Sequence, residues 1–586
     1  MPFVGTNVPT SYELRNANGF QFGRLPGHSL ICLQATEMIY YPQLPHGCPA
    51  MPEIEIPVLI VGGSLVGLST ALLLGHHGIR SLVVEHHRGT AIHPRAAQIS
   101  QRTMEVFRTV GVEQIVREKS DEQFVQDGAI LAVESLAGAE IERYIANLNA
   151  GVTDISPCKR CFISQSLLEP LLKSRAQELG AELLFGTEMV SFEQDADAVT
   201  AIVRNRDTGK TTTVRARYMV AADGARSGVR ERLGIHMAGH GTFSKSITIY
   251  FRANVEPLMR DRNLTVIYVF NPVLRGFFRI EKPFQSGFLA VNIANDSGHP
   301  VTDVSTGLTE QRSLEFVRAG IGRDDIPITI ENVMHWDSAA DVADHFRAGR
   351  VLIAGDAAHI MTPNGGFGGN TGVQDAHNLA WKLALVLQGL ANPELLSTYE
   401  PERRQASAFT VEQAYARYVK RVAPDLPSDP HEPVVNDLNI EMGYIYHSSA
   451  VIPEDTNDNR LHENPRESKG RPGTRAPHVW LAQDGRQIST LDLFGRNFAL
   501  LGGSESSAWC KCGEEASKKL RIDLDEYRLG ANGLTDPNGE FLPAFGIDST
   551  GAVLVRPDGF VAWRAKTGDG ASTVEVESAL STILSK

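Results

Sequence analysis

The pattern of apolar and polar positions indicates a chain in which buried strands alternate with helices. Val58-Leu59-Ile60-Val61 and Ser81-Leu82-Val83-Val84 are short, almost uninterrupted apolar runs, and Tyr218-Met219-Val220-Ala221-Ala222 and Val351-Leu352-Ile353-Ala354 have the same character. Such runs are typical of strands buried on both faces of a parallel sheet. A helical period follows the last run, and one face of that helix would carry Val373, Ala376, Ala380, Leu383 and Leu387. The pattern predicts an α/β domain.

A second pattern occupies the middle of the chain. Residues 236–330 contain four runs of strand length that alternate or are rich in aromatic residues: Ser246–Arg252, Leu264–Phe270, Gly276–Ile280 and Phe288–Ile293. Four such runs without intervening helical periods favour an antiparallel sheet. For any single aromatic residue in them, a place in the core is the simpler interpretation.

Composition and charge exclude several classes of protein. With 586 residues the chain is too long for one core, so two or three domains are expected. The formal net charge of -13 argues against a nucleic-acid partner. The apolar runs are too short to span a bilayer, and no basic stretch followed by an apolar segment opens the chain. A cytoplasmic protein without a membrane partner is expected.

The cysteines predict neither a disulfide framework nor a metal site. Six cysteines are few for a chain of this size, and a reducing compartment is the simplest setting. Cys158 and Cys161 have metal-like spacing, but no second pair completes four ligands.

A glycine-rich turn follows the first predicted strand. Gly62-Gly63-Ser64-Leu65-Val66-Gly67 is similar to the dinucleotide fingerprint, in which a backbone turn and a helix N-terminus face a pyrophosphate. Ser64 replaces the second glycine of the fingerprint, but serine is small and its hydroxyl can bond a phosphate oxygen. Glu85 ends the second strand, where an acid is expected to bind the adenosine ribose. A purely structural turn is the alternative, and the acid at the expected place favours the cofactor.

Two further acids end predicted strands. Asp223-Gly224 closes the strand that reaches Ala222, and Asp356 closes the run that reaches Ala354. After Asp356 comes a loop with Gly365, Gly366, Gly368 and Gly369. A strand-end carboxylate accepts hydrogen bonds from sugar-like hydroxyls, glycines let backbone N–H groups approach a flat ring, and a helix N-terminus favours negative charge. A reduced flavin fits all three features, and a strand–turn–helix with a capping acid is the alternative.

In this order the three motifs resemble those of the FAD-dependent aromatic hydroxylases, the p-hydroxybenzoate-hydroxylase-like group of flavoprotein monooxygenases. The resemblance extends from Met51 to Lys586. It implies a multidomain α/β and α+β fold, with a Rossmann-like FAD-binding domain and an antiparallel-sheet substrate domain. It also implies a C-terminal thioredoxin-like domain, as in the anthracycline and tetracenomycin hydroxylases of the group.

The resemblance also assigns roles to individual residues. It places Asp356 on the ribityl chain, Pro363 beside the flavin ring, and Arg230 at the nicotinamide cofactor. A solvated Arg95 and a helix-start Gln165 are the alternatives for two of the expected FAD contacts. The residues expected to bind FAD are Gly62, Ser64, Leu65, Gly67, Glu85, Arg95, Gln165, Asp223, Asp356, Gly369 and Asn370.

The implied activity is a monooxygenase reaction. NADPH (or NADH) reduces the flavin, O2 adds as a C4a-hydroperoxide, and an electrophilic OH passes to a phenolic or polycyclic aromatic substrate such as a polyketide. Only one nucleotide fingerprint is present, so NADPH is expected to bind transiently. The sequence singles out no catalytic base. A Baeyer–Villiger-type oxygenation on the same scaffold and a non-catalytic flavin-bound interaction protein are the alternatives.

Domain boundaries follow from the motifs and from composition. The FAD-binding domain is expected over residues 51–235 and 331–423, the substrate domain over 236–330, and the thioredoxin-like domain over 474–586. Residues 1–50 are expected either to be a loosely ordered extension or to precede the true start of the protein. Residues 424–473, rich in Pro, Asp, Asn and Glu, are expected to be mostly a linker, with a short ordered stretch at Met442–Val451. Cys510-Lys511-Cys512 lacks Cys-x-x-Cys spacing, so a structural role is expected for the last domain. A homodimer is left open.

Overall fold

The computed structural model describes residues 53–92, 98–259, 262–293, 308–423, 426 and 433–586. By their contacts these residues belong to one unit, Met51–Lys586. The predicted extension over residues 1–50 and the predicted flavin contact Arg95 lie outside the described residues.

The predicted apolar runs form neighbouring strands of one sheet. Its parallel strands stand in the order Val351–Ile353, Thr211–Ala221, Glu53–Val61, Ser81–Glu85 and Glu182–Phe185. Val61 pairs with Val84 on one side and with Ala221 on the other, and Ala221 pairs with Ile353. The carboxyl ends of these four strands are therefore level, and the loops that follow them meet at one edge of the sheet. At the other borders, antiparallel pairing adds Arg347–Ala348, Thr187–Gln194 and Val199–Asn205.

Three helices pack side by side on this sheet domain. Helix Leu65–His76 contacts both helix Gln165–Glu178 and helix Phe367–Leu387. The other α-helices before the C-terminal region are Gln101–Thr109, Glu113–Gln123, Gly228–Arg232, Glu256–Met259, Glu310–Ile321, Tyr399–Arg421 and Asp437–Met442. Single 3-10 turns lie at Gly355–Ala357, Pro393–Thr398, Pro465–Glu467 and Thr490–Leu493. Among the residues the structure describes, no helix has the length and apolar character to cross a membrane.

The four predicted strands of the middle region form the centre of a larger, mainly antiparallel sheet. Its strands stand in the order His359–Ile360, Thr329–Ala343, Met237–Arg252, Ser286–Ile293, Arg275–Glu281, Leu264–Phe270, Ala129–Val133 and Glu140–Ile145. Ala129–Val133 runs parallel to Leu264–Phe270. The sheet thus extends beyond the predicted boundaries 236–330, because strands from residues 129–145 and 329–343 complete it. Pairing partners so distant in sequence leave no local signal of membership.

The two faces of this sheet differ in chemistry. Ile249, Phe278 and Leu289 lie on one face and pack in a core with helix Glu310–Ile321. The opposite face carries rings at mutual centroid distances of about 6 Å, such as Tyr250 to Phe288 at 6.0 Å. We call it the aromatic face and define it by Tyr250, Tyr268, Phe270, Phe277 and Phe288.

The C-terminal region forms two small sheets with three helices. The larger sheet has the strand order Leu524–Arg528, Phe498–Gly502, Ala552–Val555 and Val561–Ala565, of which the first pair is parallel and the others antiparallel. The smaller sheet comprises Arg486–Ser489, Trp480–Gln483 and Leu534–Thr535. The helices are Ser507–Leu520, Phe541–Phe545 and Thr573–Ile583. A thioredoxin-like fold for this region stays a prediction.

Residues 433–473 differ from the linker expected over 424–473. They carry helix Asp437–Met442, and Tyr444 and Tyr446 are buried against Phe560 of the C-terminal region. Turns and bends make up part of the rest of this segment. Its aromatic side chains nevertheless tie the segment to both flanking regions, so the described part is packed structure rather than a flexible connection.

Candidate functional site

The carboxyl edge of the parallel sheet brings four predicted site loops together. The loops follow the strands that end at Val61, Glu85, Ala221 and Ile353. They carry Ser64, Glu85, Asp223 and Asp356 respectively. In open α/β sheets, ligands bind outside the carboxyl ends of the strands, so this edge is the candidate site.

Two glycines fix the shape of the first loop. Gly62 has φ +103°, and a Cβ there would overlap the carbonyl oxygen of Ala222. A Cβ on Gly67 would overlap the carbonyl oxygen of Gly62. The loop therefore turns tightly at Gly62, and helix Leu65–His76 starts close against it.

Glu85 is held as a carboxylate at the end of its strand. Its Oε2 accepts the Gly63 N–H at 2.7 Å, and its Oε1 accepts the His87 N–H at 2.8 Å. Burial alone would raise the pKa of Glu85, but these backbone hydrogen bonds lower it below its usual range. A buried, ionised acceptor beside the glycine turn is suited to sugar hydroxyls.

Ser64 is oriented by two residues of the helix that follows the small strand Cys161–Phe162. Gln165 donates from Nε2 to Ser64 Oγ at 2.7 Å, and Ser64 Oγ donates to Glu169 Oε1 at 2.5 Å. Glu169 Oε2 also accepts the N–H of Ala91 at 2.6 Å. Gln165 is the first residue of this helix and adjoins the glycine turn, and its contact with FAD stays a prediction. Glu169 was not among the predicted site residues. Its spacing of four from Gln165 on a helix was the available signal.

The loop after Ala221 is braced against the loop that carries Asp356. Asp223 accepts from Ser227 Oγ at 2.6 Å and from the Val229 N–H at 3.2 Å. Arg230 is buried and donates to the carbonyl oxygens of Ala225 and Ala357, each at 3.0 Å. The guanidinium of Arg230 thus joins the two loops, and its contact with a nicotinamide cofactor stays a prediction.

Asp356 follows its strand on a loop that the buried Asp375 holds in place. Its side chain is exposed, whereas Asp375 beneath it is fully buried. Asp375 accepts the Gly355 N–H at 3.0 Å, His359 Nε2 at 2.7 Å and Arg403 Nε at 2.8 Å. Burial would raise the pKa of Asp375, but the charges of His359 and Arg403 hold it below its usual range. The anchoring residues were missed by sequence reasoning.

The glycine loop before helix Phe367–Leu387 is shaped by backbone conformation. Gly365 and Gly366 have φ of +97° and +69°, and Pro363 beside them is exposed. Asn370 ties the loop to its surroundings, donating from Nδ2 to the carbonyl oxygens of Gly366 (2.7 Å) and Gln98 (2.9 Å). Its side chain therefore has a structural role, which leaves the backbone of Gly369 and Asn370 for the predicted ring contacts.

The donors and acceptors at this edge fit FAD. Helix Leu65–His76 and helix Phe367–Leu387 both begin without a side chain capping their first N–H groups. Free N–H groups at a helix N-terminus are the donors that a phosphate or an electron-rich ring accepts from. Glu85 and Asp356 offer carboxylate oxygens, the acceptors that sugar-type hydroxyls donate to. One edge thus presents anion-binding donors and hydroxyl-binding carboxylates together.

A cavity of about 610 Å³ adjoins the site. Its lining joins Ser166 and Leu167, next to Gln165, with Tyr250 of the aromatic face. Glu281 also lines it, and burial raises the pKa of that carboxyl above its usual range. The volume falls within the range that small organic ligands occupy in proteins.

One group of side chains has metal-ligand chemistry. Glu85, His86 and His87 bring one ligand atom each within 4.8 Å of one another. Both imidazoles are exposed, and Glu85 already accepts two backbone N–H groups. The absence of a metal site stays a prediction.

Buried ion pairs join the C-terminal region to the sheet domain. Arg556 donates to both oxygens of Glu402, at 2.6 and 3.0 Å, and Lys382 Nζ lies 2.8 Å from the same carboxylate. Arg475 pairs with Glu105 at 2.5 Å. Cys510 lies on helix Ser507–Leu520, and burial raises the pKa of its thiol. A raised thiol pKa is the opposite of what a redox-active cysteine needs.

Two family models together match most of the chain. A model described as FAD binding domain matches residues 55–414, and one described as aromatic-ring hydroxylase, C-terminal, matches residues 469–586. A 4-methyl-5-nitrocatechol 5-monooxygenase of Burkholderia sp is 51% identical over 88% of this chain and 95% of that protein. Aklavinone 12-hydroxylase RdmE of Streptomyces purpurascens is 38% identical over 90% of this chain and 98% of its own length.

Solved structures agree with these sequence matches. The crystal structure of aklavinone-11 hydroxylase in a ternary complex with FAD and aklavinone has a TM-score of 0.85 and 36% identity. The match covers 92% of this chain and 100% of the aklavinone-11 hydroxylase chain. The substrate-free form of the rebeccamycin biosynthetic enzyme RebC has a TM-score of 0.75 at 31% identity, over 91% of this chain and 99% of that one. These relatives are named hydroxylases, monooxygenases or biosynthetic enzymes, and none supports a non-catalytic flavin-bound protein.

Proposed function

Because the chain belongs to the FAD-dependent aromatic-ring hydroxylases, we propose that it inserts one oxygen atom of O2 into a phenolic substrate, with NAD(P)H as the electron donor. The observation that carries this proposal is the convergence of Ser64, Glu85, Asp223 and Asp356 at one sheet edge. By the resemblance of their motifs to those of the family, these are the positions expected to hold FAD.

The residues of the edge have distinct parts in holding the cofactor. The turn at Gly62 and Ser64 and the start of helix Leu65–His76 would take the pyrophosphate. Glu85 would bind the adenosine ribose, and Asp356 the ribityl chain. Gly369 and Asn370 would offer backbone N–H groups to the ring, with Pro363 beside it. Bound FAD supplies the redox chemistry that side chains lack.

The chain's own contribution to catalysis is placement and exclusion of water. Asp375 and Arg230 fix the loops of Asp356 and Asp223, so the ring of the cofactor would meet a preset surface. The aromatic face, which is largely buried, would pack against the substrate ring on the side opposite the cofactor. An apolar surrounding that excludes water would protect a reactive intermediate from side reactions.

We infer a single-ring phenol as the first substrate class to test. The relative named for a nitrocatechol is 51% identical, whereas the relatives named for polyketides are 36–40% identical. A polycyclic phenol is the second candidate, supported by the 0.85 TM-score to aklavinone-11 hydroxylase. The preference for NADPH over NADH rests on family resemblance alone. A cytoplasmic location, expected from the short apolar runs and the few cysteines, and a homodimer, which the sequence leaves open, are further parts of the proposal.

The test is reconstitution with FAD followed by assay of NADPH oxidation. The FAD-loaded protein should be yellow, oxidise NADPH slowly alone, and accelerate when a suitable phenol is added. A panel should pair single-ring nitrocatechols with polycyclic phenols, with products identified by mass spectrometry. A protein that takes up no FAD would overturn the proposal. If only polycyclic phenols accelerate NADPH oxidation, the substrate class is polycyclic phenols rather than single-ring phenols.

A further inference from the structure

Arg279 is unusual among the buried arginines of the described residues. Those arginines are Arg102, Arg160, Arg230, Arg279, Arg403, Arg417, Arg475 and Arg556. Six of them lie within ion-pair distance of a carboxylate, and Arg230 donates to two carbonyl oxygens at 3.0 Å. Within the described ranges, Arg279 has one polar contact, from Nη1 to the Thr265 carbonyl oxygen at 3.4 Å.

The surroundings of Arg279 are aromatic. Its guanidinium lies 4.0 Å from the ring centroid of Phe162 and 5.6 Å from that of Phe124. Burial lowers the pKa of Arg279 to about 9, and Tyr268 is the titratable neighbour that partly offsets this. Cation–π contacts offset only part of the cost of burying a charge, so an anionic partner would lower that cost further.

Strand register puts Arg279 on the aromatic face. Arg279 pairs across the sheet with Phe288, and Phe277, two residues earlier, points to the same side. Glu281, two residues later on that side, lines the cavity of about 610 Å³ and accepts from Gln123 Nε2 at 3.0 Å. Gly287 and Ser286, next to Phe288, also line this cavity. The Arg279–Phe288 pair is therefore next to the Ile280–Gly287 pair, and Gly287 lines the cavity.

A short path of contacts links Arg279 to the glycine loop of the cofactor site. Phe162, which stacks on the guanidinium, pairs with Gln98 in a two-stranded sheet. The carbonyl oxygen of Gln98 accepts from Asn370 Nδ2 at 2.9 Å. The guanidinium thus lies between the aromatic face and the elements that shape the predicted flavin loop.

We propose that Arg279 binds the ionised oxygen of the phenolic substrate, whose ring packs on the aromatic face. The inference rests on the proposed hydroxylase function. A phenolate is more electron-rich than a phenol, so a guanidinium that stabilises it lowers the pKa of the bound substrate and favours attack by an electrophilic oxygen. Arg279 is in this role a positioning and charge-stabilising residue. Glu281 would not bind the phenolate, because two negative charges repel each other.

The test uses the FAD-loaded full chain without NADPH and 4-nitrocatechol as probe, since its ionised form is coloured. The wild-type protein should lower the pKa of the bound probe by roughly one unit or more relative to free probe. The dimethyl ether of the probe, which cannot ionise, should bind more weakly than the anion. Equal binding of the two by wild-type protein would overturn the inference without any variant.

Three variants separate anion binding from packing. Arg279→Met keeps a long side chain against Phe162 and should weaken binding of the anion by roughly 10- to 100-fold while the ether binds unchanged. Arg279→Lys should retain part of the lowered probe pKa, which keeps the test valid if the Met variant does not fold. Arg323→Met, an exposed arginine that pairs with Asp325 outside the strands of this sheet, is the control and should behave as wild type. If the bound probe has the same pKa in folded Arg279→Met as in the wild-type protein, the inference is overturned. Failure of wild-type protein to oxidise NADPH with any phenol would instead overturn the proposed function.

Discussion

Glu85 and Asp356 show how single residues at the sheet edge are prepared for a cofactor. Glu85 is buried and held by two backbone N–H groups, whereas Asp356 is exposed on a loop that Asp375 anchors. Both carboxylates follow buried strands, so their backbone positions are fixed by sheet register. Their contributions to FAD affinity can therefore be measured with little change to the fold.

Replacement of Asp356 by Ala should weaken FAD binding. A hydrogen bond to a charged acceptor is worth about 1.5–3 kcal/mol, so the loss should be roughly one to two decades in Kd. Asp356→Asn keeps one acceptor oxygen and should lose less. Titration of FAD into each folded apo-variant measures the effect, with Asp325→Ala, an exposed acid paired with Arg323, as control. Unchanged affinity in Asp356→Ala would remove the ribityl chain from this loop.

The contribution of Glu85 should persist to low pH. Because its pKa in the folded protein is lowered, the carboxylate stays ionised above its ordinary value of 4.5, and its contribution is lost only as pH falls through the lowered pKa. The ratio of FAD affinities between wild type and Glu85→Gln should therefore stay constant from about pH 8 to about pH 5. FAD titrations at several pH values test this. A ratio that declines already near neutral pH would mean that Glu85 is not held as described.

At the scale of elements, two helices cross at glycines beside Asp356. A Cβ on Gly372 would overlap Val66 Cγ2 and lie 3.1 Å from the Cα of Gly355. Helix Leu65–His76 and helix Phe367–Leu387 can approach this closely only because Gly372 has no side chain. The crossing sets the distance between the two helix N-termini that face the predicted cofactor.

Gly372→Ala should destabilise the protein because its new methyl group would force the two helices apart. An overpacked core position costs about 1–3 kcal/mol. Urea unfolding of the FAD-loaded protein would measure the shift of the midpoint. Gly89→Ala is the control, because nothing lies within 4 Å of a Cβ built there. A Gly372→Ala midpoint equal to that of the control would contradict the tight crossing.

The sequence predicted the site loops and missed what supports them, for a physical reason. A buried run followed by an acid is a local pattern, so Glu85, Asp223 and Asp356 were found from their neighbours. Asp375 and Arg403 are 28 residues apart, and Glu105 and Arg475 are 370 apart, so no local pattern reports those pairs. Arg230 adds another limit. Its motif was found, but the direction of its side chain is set by the tertiary contacts that bury it.

At the scale of the whole molecule, the C-terminal region is joined to the FAD-binding part by buried charges. The Glu402 carboxylate accepts hydrogen bonds from Arg556, Lys382 and Asn378, and all four side chains are buried. The pKa of Glu402 is lowered because the charges of Arg556 and Lys382 outweigh the effect of burial, which alone would raise it. The region thus completes the core around helix Phe367–Leu387.

Removal of Arg556 should therefore destabilise the entire chain rather than the C-terminal region alone. Arg556→Met leaves the buried Glu402 without its main partner, a change that costs about 3–5 kcal/mol. Chemical denaturation followed by both flavin fluorescence and circular dichroism should report one coincident, earlier transition. Lys518→Met, which removes an exposed ion pair with Glu514, should leave the transition unchanged. Separate transitions in Arg556→Met would mean that the two parts fold independently.

Incorporation of isotopically labelled oxygen tests the monooxygenase assignment most directly. The FAD-loaded protein is incubated with NADPH, labelled O2 gas and a phenol that accelerates NADPH oxidation, and the product is analysed by mass spectrometry. Monooxygenation predicts one labelled oxygen atom in each molecule of hydroxylated product and none when the label is in water instead. NADPH oxidation that yields only hydrogen peroxide with every phenol tested, or a product whose new oxygen comes from water, would contradict it.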